Sequence, residues 1–145
     1  RPWQHVLEPL SGYLLLGMRL YQDPDNYSGA WNFGPNIKSI KTVKELSEKV
    51  ISVFGKGQLD LQYDKNANHE ASILHLNCDK SNTKLSWYPT WDFDETIERT
   101  VNWYIGHLNG DDPKDLTMLD INEFLKGKKW HYIFLSCISF AACFT

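Results

Sequence analysis

Val6, Leu7, Leu10, Tyr13, Leu14, Gly17, Leu20 and Tyr21 recur at three- and four-residue steps near the start of this chain. An apolar stripe of about four turns at that spacing predicts an amphipathic helix with a face to bury. Pro9 falls in its first turn, where a missing N–H costs little. The turn formers from Asp23 to Gly29 should end it.

Three more segments carry the same period. Thr42 and Glu45 form a capping box, each side chain satisfying an orphan backbone donor. Val43, Leu46, Val50, Val53 and Phe54 follow on one face, and Gly55 supplies the stop. Asp92 with Glu95 gives a similar start to a stripe of Phe93, Ile97, Val101, Tyr104, Ile105 and Leu108. The last is shorter, with Thr117 as cap before Met118, Ile121, Phe124 and Leu125.

Between these helices lie short extended candidates: Gly29–Gly34 bounded by glycines, the alternating Leu59–Tyr63, and Leu74, Leu76 and Cys78. Helices alternating with strands predict an α/β or α+β chain, helices with a small mixed sheet. At 145 residues it is within the range of one domain. There is no internal repeat.

Residues 130–145, "WHYIFLSCISFAACFT", carry no acidic residue, no Lys or Arg, and no clear period. A membrane segment flanked by the basic "KGKK" is one reading. The stretch is sixteen residues long, whereas a spanning helix needs about 20 apolar residues. A tail read out of frame, or a truncated end, is the other.

The net charge of −3 argues against a general nucleic-acid binder. Lys38, Lys41 and Lys44 read as a solvated helix face among acidic neighbours. Cys78, Cys137 and Cys143 form no C-x-x-C pair and, like the five scattered histidines, no metal-ligand spacing. This usage fits a reducing, cytoplasmic compartment. Asn26-Tyr27-Ser28 is formally a glycosylation sequon but reads as turn chemistry.

Arg1, beside Trp3 and Gln4, presents a guanidinium that could grip a diphosphate and its ribose, or else pair with a surface carboxylate. His69 and Glu70 sit side by side in a polar loop. Neighbours on an extended chain point to opposite sides, so sugar binding or loop anchoring fits them better than a catalytic pair. Trp87, Tyr88 and Trp91 around Pro89 read as a packed corner. The only G-x-G, Gly55-Lys56-Gly57, follows a helix instead of opening one, and no Tyr has a Lys four residues downstream. No credible catalytic centre is visible.

The stretches "RPWQHVLEPLSGYLLLG", "SGAWNFGP", "TVKELSEKVISVFG", "HEASILHLNCDKSNTKLSWYPTW" and "DETIERTVNWY" together resemble the C-terminal part of the CDP-glucose 4,6-dehydratase family. These are extended short-chain dehydrogenases/reductases acting on nucleotide sugars. The resemblance covers roughly residues 1–125 and leaves 126–145 as an atypical apolar tail. It implies a substrate-binding lobe from an enzyme that converts CDP-glucose to CDP-4-keto-6-deoxy-glucose with NAD. NAD and the catalytic Ser/Thr–Tyr–Lys set would be held by a Rossmann half outside this chain, and the intact enzyme would be a homo-oligomer. It also implies that Arg1, Trp3, Gln4 and His5 form one substrate loop, and His69 and Glu70 a second. None is implied as catalytic. The start at Arg1, with no methionine and no signal-peptide pattern, is then expected for the back half of an enzyme. A stand-alone nucleotide-sugar-binding module and a membrane-tethered protein are the rival readings.

Overall fold

The computed structural model describes residues 1–62 and 74–127. His69, Glu70 and residues 128–145 lie outside the described residues. The helices are α1 (Leu7–Gln22), α2 (Pro24–Tyr27), α3 (Val43–Phe54), α4 (Asp79–Leu85), α5 (Phe93–Leu108) and α6 (Pro113–Gly127), with a 3-10 turn at Ile37–Ser39. Helix α5 packs on α3 and α6, while α1 packs on α2 and α4. No helix among the described residues is long and apolar enough to cross a membrane.

The expected small mixed sheet is absent among the described residues, which show one isolated antiparallel bridge, between Pro2 and Ile40. The reason is visible at Gly29–Gly34. Its backbone groups are met by side chains in place of a neighbouring strand. Ser81 Oγ donates to the Asn32 carbonyl at 2.7 Å, and Gln4 Nε2 to the Phe33 carbonyl at 3.1 Å. Lys80 Nζ donates to the Ala30 carbonyl at 3.0 Å, and the Gly34 N–H meets Cys78 Sγ at 3.1 Å.

The capping box of α3 forms as its sequence requires, and the one expected for α5 forms by half. Thr42 Oγ1 accepts from Glu45 N at 3.1 Å while Glu45 Oε2 accepts from Thr42 N at 2.7 Å. Gly55 closes α3 at φ 77°, a left-handed value that glycine adopts without strain. Asp92 Oδ1 accepts from Glu95 N at 3.0 Å, but the Glu95 carboxylate turns instead to Arg99 Nε at 2.7 Å. Thr117 is not a cap. Helix α6 begins a turn earlier, at Pro113, where Asp112 Oδ1 accepts from Lys114 N at 2.7 Å. The Thr117 hydroxyl donates within the helix to the Pro113 carbonyl.

Among the described residues two apolar clusters hold the fold together. Leu15, Phe33, Leu85 and Trp87 form one, with the rings of Phe33 and Trp87 edge to face at 5.1 Å. Phe93, Ile97 and Val101 form the other, packed by Trp3 and by Leu46, Val50, Val53 and Phe54 of α3. Each such side chain contributes about 1.5–3 kcal/mol on burial.

Helix α1 departs from the expected orientation. Its buried residues are Glu8, Gly12 and Leu15. Most of the sequence stripe faces outward instead, with Leu14 68% and Tyr21 93% exposed. Gly12 explains the turn of the helix. A Cβ there would lie 2.3 Å from Phe33 Cδ1, so only a bare backbone lets that ring rest on α1.

Candidate functional site

The loop from Arg1 to Val6 is pinned at both ends. Lys41 N donates to the Arg1 carbonyl at 3.1 Å, and the Lys41 carbonyl accepts from Trp3 Nε1 at 3.0 Å. The indole edge of Trp3 is thereby committed to α3's approach, and its rings pack on the Phe93 cluster. At the other end Glu8 is wholly buried at the start of α1. Its Oε1 accepts from the backbone N–H groups of Thr90 and Trp91 at 2.8 and 2.7 Å. The Trp87–Trp91 corner is thus a packed one, with Trp87 itself 1% exposed and Tyr88 turned outward.

Between these anchors His5 is buried, its ring edge-on to Trp91 at 4.8 Å. Trp91 in turn meets Phe124 of α6 edge-on at 5.0 Å. Burial, reinforced by the nearby Arg99 charge, pushes the imidazole pKa down from 6.5 to about 4. His5 is therefore neutral near pH 7. Its Nδ1 accepts from Leu7 N at 3.3 Å, which places the remaining proton on Nε2.

Gln4 and His5 open onto a cleft of about 430 Å³, walled by Val6 and Leu7 on one side and by Thr100, Trp103, Tyr104, Thr117 and Asp120 on the other. Burial raises the Asp120 carboxyl above its ordinary range, and the Arg99 guanidinium, 3.9 Å away, opposes that rise. Arg99 also stacks over the Trp91 ring at 5.2 Å. Gln4 spends its amide nitrogen on Phe33, and its buried Oε1 has no hydrogen-bond partner. An apolar hollow with a few convergent polar groups is how small-molecule sites are built.

The structure therefore brings Gln4 and His5 into one cleft and sets Arg1 and Trp3 against Lys41. His69 and Glu70 fall outside the described residues. Sequence reasoning missed the far wall. Thr100, Trp103 and Tyr104 at i, i+3, i+4 and Thr117 with Asp120 at i, i+3 do share helix faces, a readable signal once α6 is started correctly. Among the described residues no group of His, Cys, Asp and Glu is placed to hold a metal.

No family model matches the chain. Over 125 residues, 86% of its length, it is 39% identical to the CDP-glucose 4,6-dehydratase of Salmonella typhimurium strain LT2. It resembles that enzyme and spans about a third, 35%, of the enzyme's length.

Proposed function

We propose that this chain is the nucleotide-sugar-binding portion of a CDP-glucose 4,6-dehydratase and carries no catalytic residue itself. The supporting observation is the 39% identity over 125 residues, which at 86% of the chain takes in the helices α5 and α6 that wall the cleft. In this reading the Arg1 guanidinium takes the diphosphate, whose oxygens its planar fork of donors can meet bidentately. Neutral His5 donates from Nε2 to a sugar hydroxyl, Gln4 offers its buried Oε1, and Trp3 holds the loop against α3. His69 and Glu70 complete the binding set from a second loop.

The whole enzyme would turn CDP-glucose into CDP-4-keto-6-deoxy-glucose with NAD, which supplies a hydride acceptor and donor when bound. The described residues do not fit a dinucleotide. A pyrophosphate is held at a helix N-terminus, whereas Gly55 and Gly57 sit at the C-terminal, electron-rich end of α3. No hydride step is assigned to this chain, and NAD falls to a Rossmann half. A second reading is a stand-alone binding module, favoured by a cleft that residues of this chain form alone.

The test is calorimetric titration of CDP-glucose into a chimera in which residues 1–125 replace the matching part of the Salmonella enzyme. Arg1→Ala should weaken binding roughly 10- to 100-fold, the range of a charged hydrogen bond. Unchanged affinity would remove Arg1 from the site, and a chimera that binds no CDP-glucose would sink the reading. Turnover of CDP-glucose by the 145-residue chain alone would refute its non-catalytic role.

A further inference from the structure

Hydrogen-bond donors and acceptors do not balance across the cleft. The donors along its walls are largely spent. Gln4 Nε2 donates to the Phe33 carbonyl at 3.1 Å, and Thr100 Oγ1 to the Thr96 carbonyl at 2.8 Å. Trp103 Nε1 donates to Thr117 Oγ1 at 3.1 Å, and Thr117 Oγ1 in turn donates to the Pro113 carbonyl at 2.7 Å. An acceptor is left over on each side. Gln4 Oε1 is buried with no hydrogen-bond partner among the described residues. The Asp120 side chain is 15% exposed, and its one ion pair among the described residues, with Arg99 Nη1 at 3.9 Å, is too long for a hydrogen bond. Arg99 turns its Nε to Glu95 at 2.7 Å instead. An acceptor withdrawn from water stays costly until something donates to it. A ligand that brings several donors removes that cost on both walls. A cation would bring them, but the Arg99 guanidinium beside Asp120 repels one. Neutral hydroxyls meet both acceptors without that penalty, and each also accepts, as the His5 Nε2 donor requires. The C–H face of a pyranose suits Val6, Leu7 and Trp103 in the same cleft.

We propose that Asp120 is a specificity-determining residue of the substrate site, its carboxylate accepting from a hydroxyl of the hexose and so telling a nucleotide sugar from the bare nucleotide. The inference rests on the dehydratase reading and adds to the binding set a residue of the far wall, outside both loops. Gln4 Oε1 takes a second hydroxyl from the opposite side. The buried position that raises the Asp120 carboxyl above its ordinary range also supports a binding role over a structural one. A charge that the fold disfavours contributes little to holding it, and such groups are kept for function at a cost in stability.

The experiment is calorimetric titration of CDP-glucose and of CDP into the chimera described above, as wild type, Asp120→Asn and Asp120→Ala, with a melting curve for each. For Asp120→Ala the expected result is a roughly tenfold or larger loss of CDP-glucose affinity, with CDP affinity held within about twofold. Asp120→Asn keeps an acceptor oxygen and should lose less, and its melting temperature should hold or rise because the disfavoured charge is gone. Unchanged CDP-glucose affinity in both variants would overturn the proposal. So would an equal loss for the two ligands, which would place Asp120 at the nucleotide or in the fold. If Asp120→Ala does not melt cooperatively, Asp120→Asn decides, and wild-type affinity for CDP-glucose there would overturn the proposal as well. A wild-type chimera that binds no CDP-glucose sinks the dehydratase reading and this inference with it. Wild-type binding that Asp120→Ala leaves intact sinks this inference alone.

Discussion

Around Phe93, Ile97 and Val101 the packing is helix on helix. Helices α3 and α5 present stripes at helical spacing, each begins with a side-chain cap, and Lys49 bridges them to Asp94 and Glu98 at the rim. Around Phe33 and Trp87 the means are different. An extended segment, a seven-residue helix and one face of α1 meet there, and several of the polar groups they bury have individual partners. Trp87 Nε1 donates to Ser11 Oγ at 3.0 Å, Ser81 Oγ to Asn32, and the Glu8 carboxylate receives two backbone N–H groups. The first region is held by area and tolerates exchange of one apolar residue for another. The second depends on particular atoms, since a buried donor left unmet costs its full desolvation.

Glu8→Ala should break the second region outright. Two buried N–H groups would lose their acceptor, a loss of about 3–5 kcal/mol at about 1–3 kcal/mol for each unmet group, visible as a collapse of the denaturation midpoint. A loss below about 1 kcal/mol would mean that the Thr90–Trp91 turn finds water or another acceptor.

Acid should sharpen the contrast next. His5 has a folded pKa lowered to about 4 against 6.5 unfolded. The unfolded chain therefore binds the proton first as pH falls. Stability from the neutral imidazole is fully present above about pH 6.5 and drains away toward pH 4. With allowance for solvent on the cleft side, this amounts to about 2 kcal/mol. Melting curves between pH 7 and 4.5 on wild type and His5→Gln should diverge over that window, and parallel curves would remove His5 as the cause.

The smallest effect belongs to the first region. Thr42→Ala deletes the α3 cap at a cost of about 1 kcal/mol, read from urea midpoints. A loss comparable to that of Glu8→Ala would show that the two regions are not so different after all.

The same contrast governs how much could be read in advance. Helices α3 and α5, their caps and the Gly55 stop were legible because period and capping are local. Helix α4 was not. Asp79–Leu85 has no apolar stripe, and it stands because Ser81 and Leu85 are buried and Asn77 Oδ1 accepts from Asp79 N at 2.9 Å. Nor was the orientation of α1 legible. Periodicity marks a stripe without saying which partner covers it, and a glycine opposite a ring decided which side turned in. Glu8 looked like any helix carboxylate because its partners lie more than 80 residues away. In the loop, Gln4 and His5 were singled out by resemblance and line the cleft, while the cleft's far wall depended in part on a helix whose start was misplaced by one turn. The alternating runs read as strands because alternation describes a chain's faces, whereas a sheet also needs a neighbour for its backbone.

The contact of Gly12 with Phe33 has one consequence for descent as well as for folding. With 2.3 Å from a notional Cβ to the ring, position 12 cannot gain a side chain while Phe33 stands. Any heavier residue at 12 requires a smaller one at 33, so a change at 12 should follow a change at 33 although 21 residues separate them. Across diverging copies of this gene that linkage should outlast the surrounding surface.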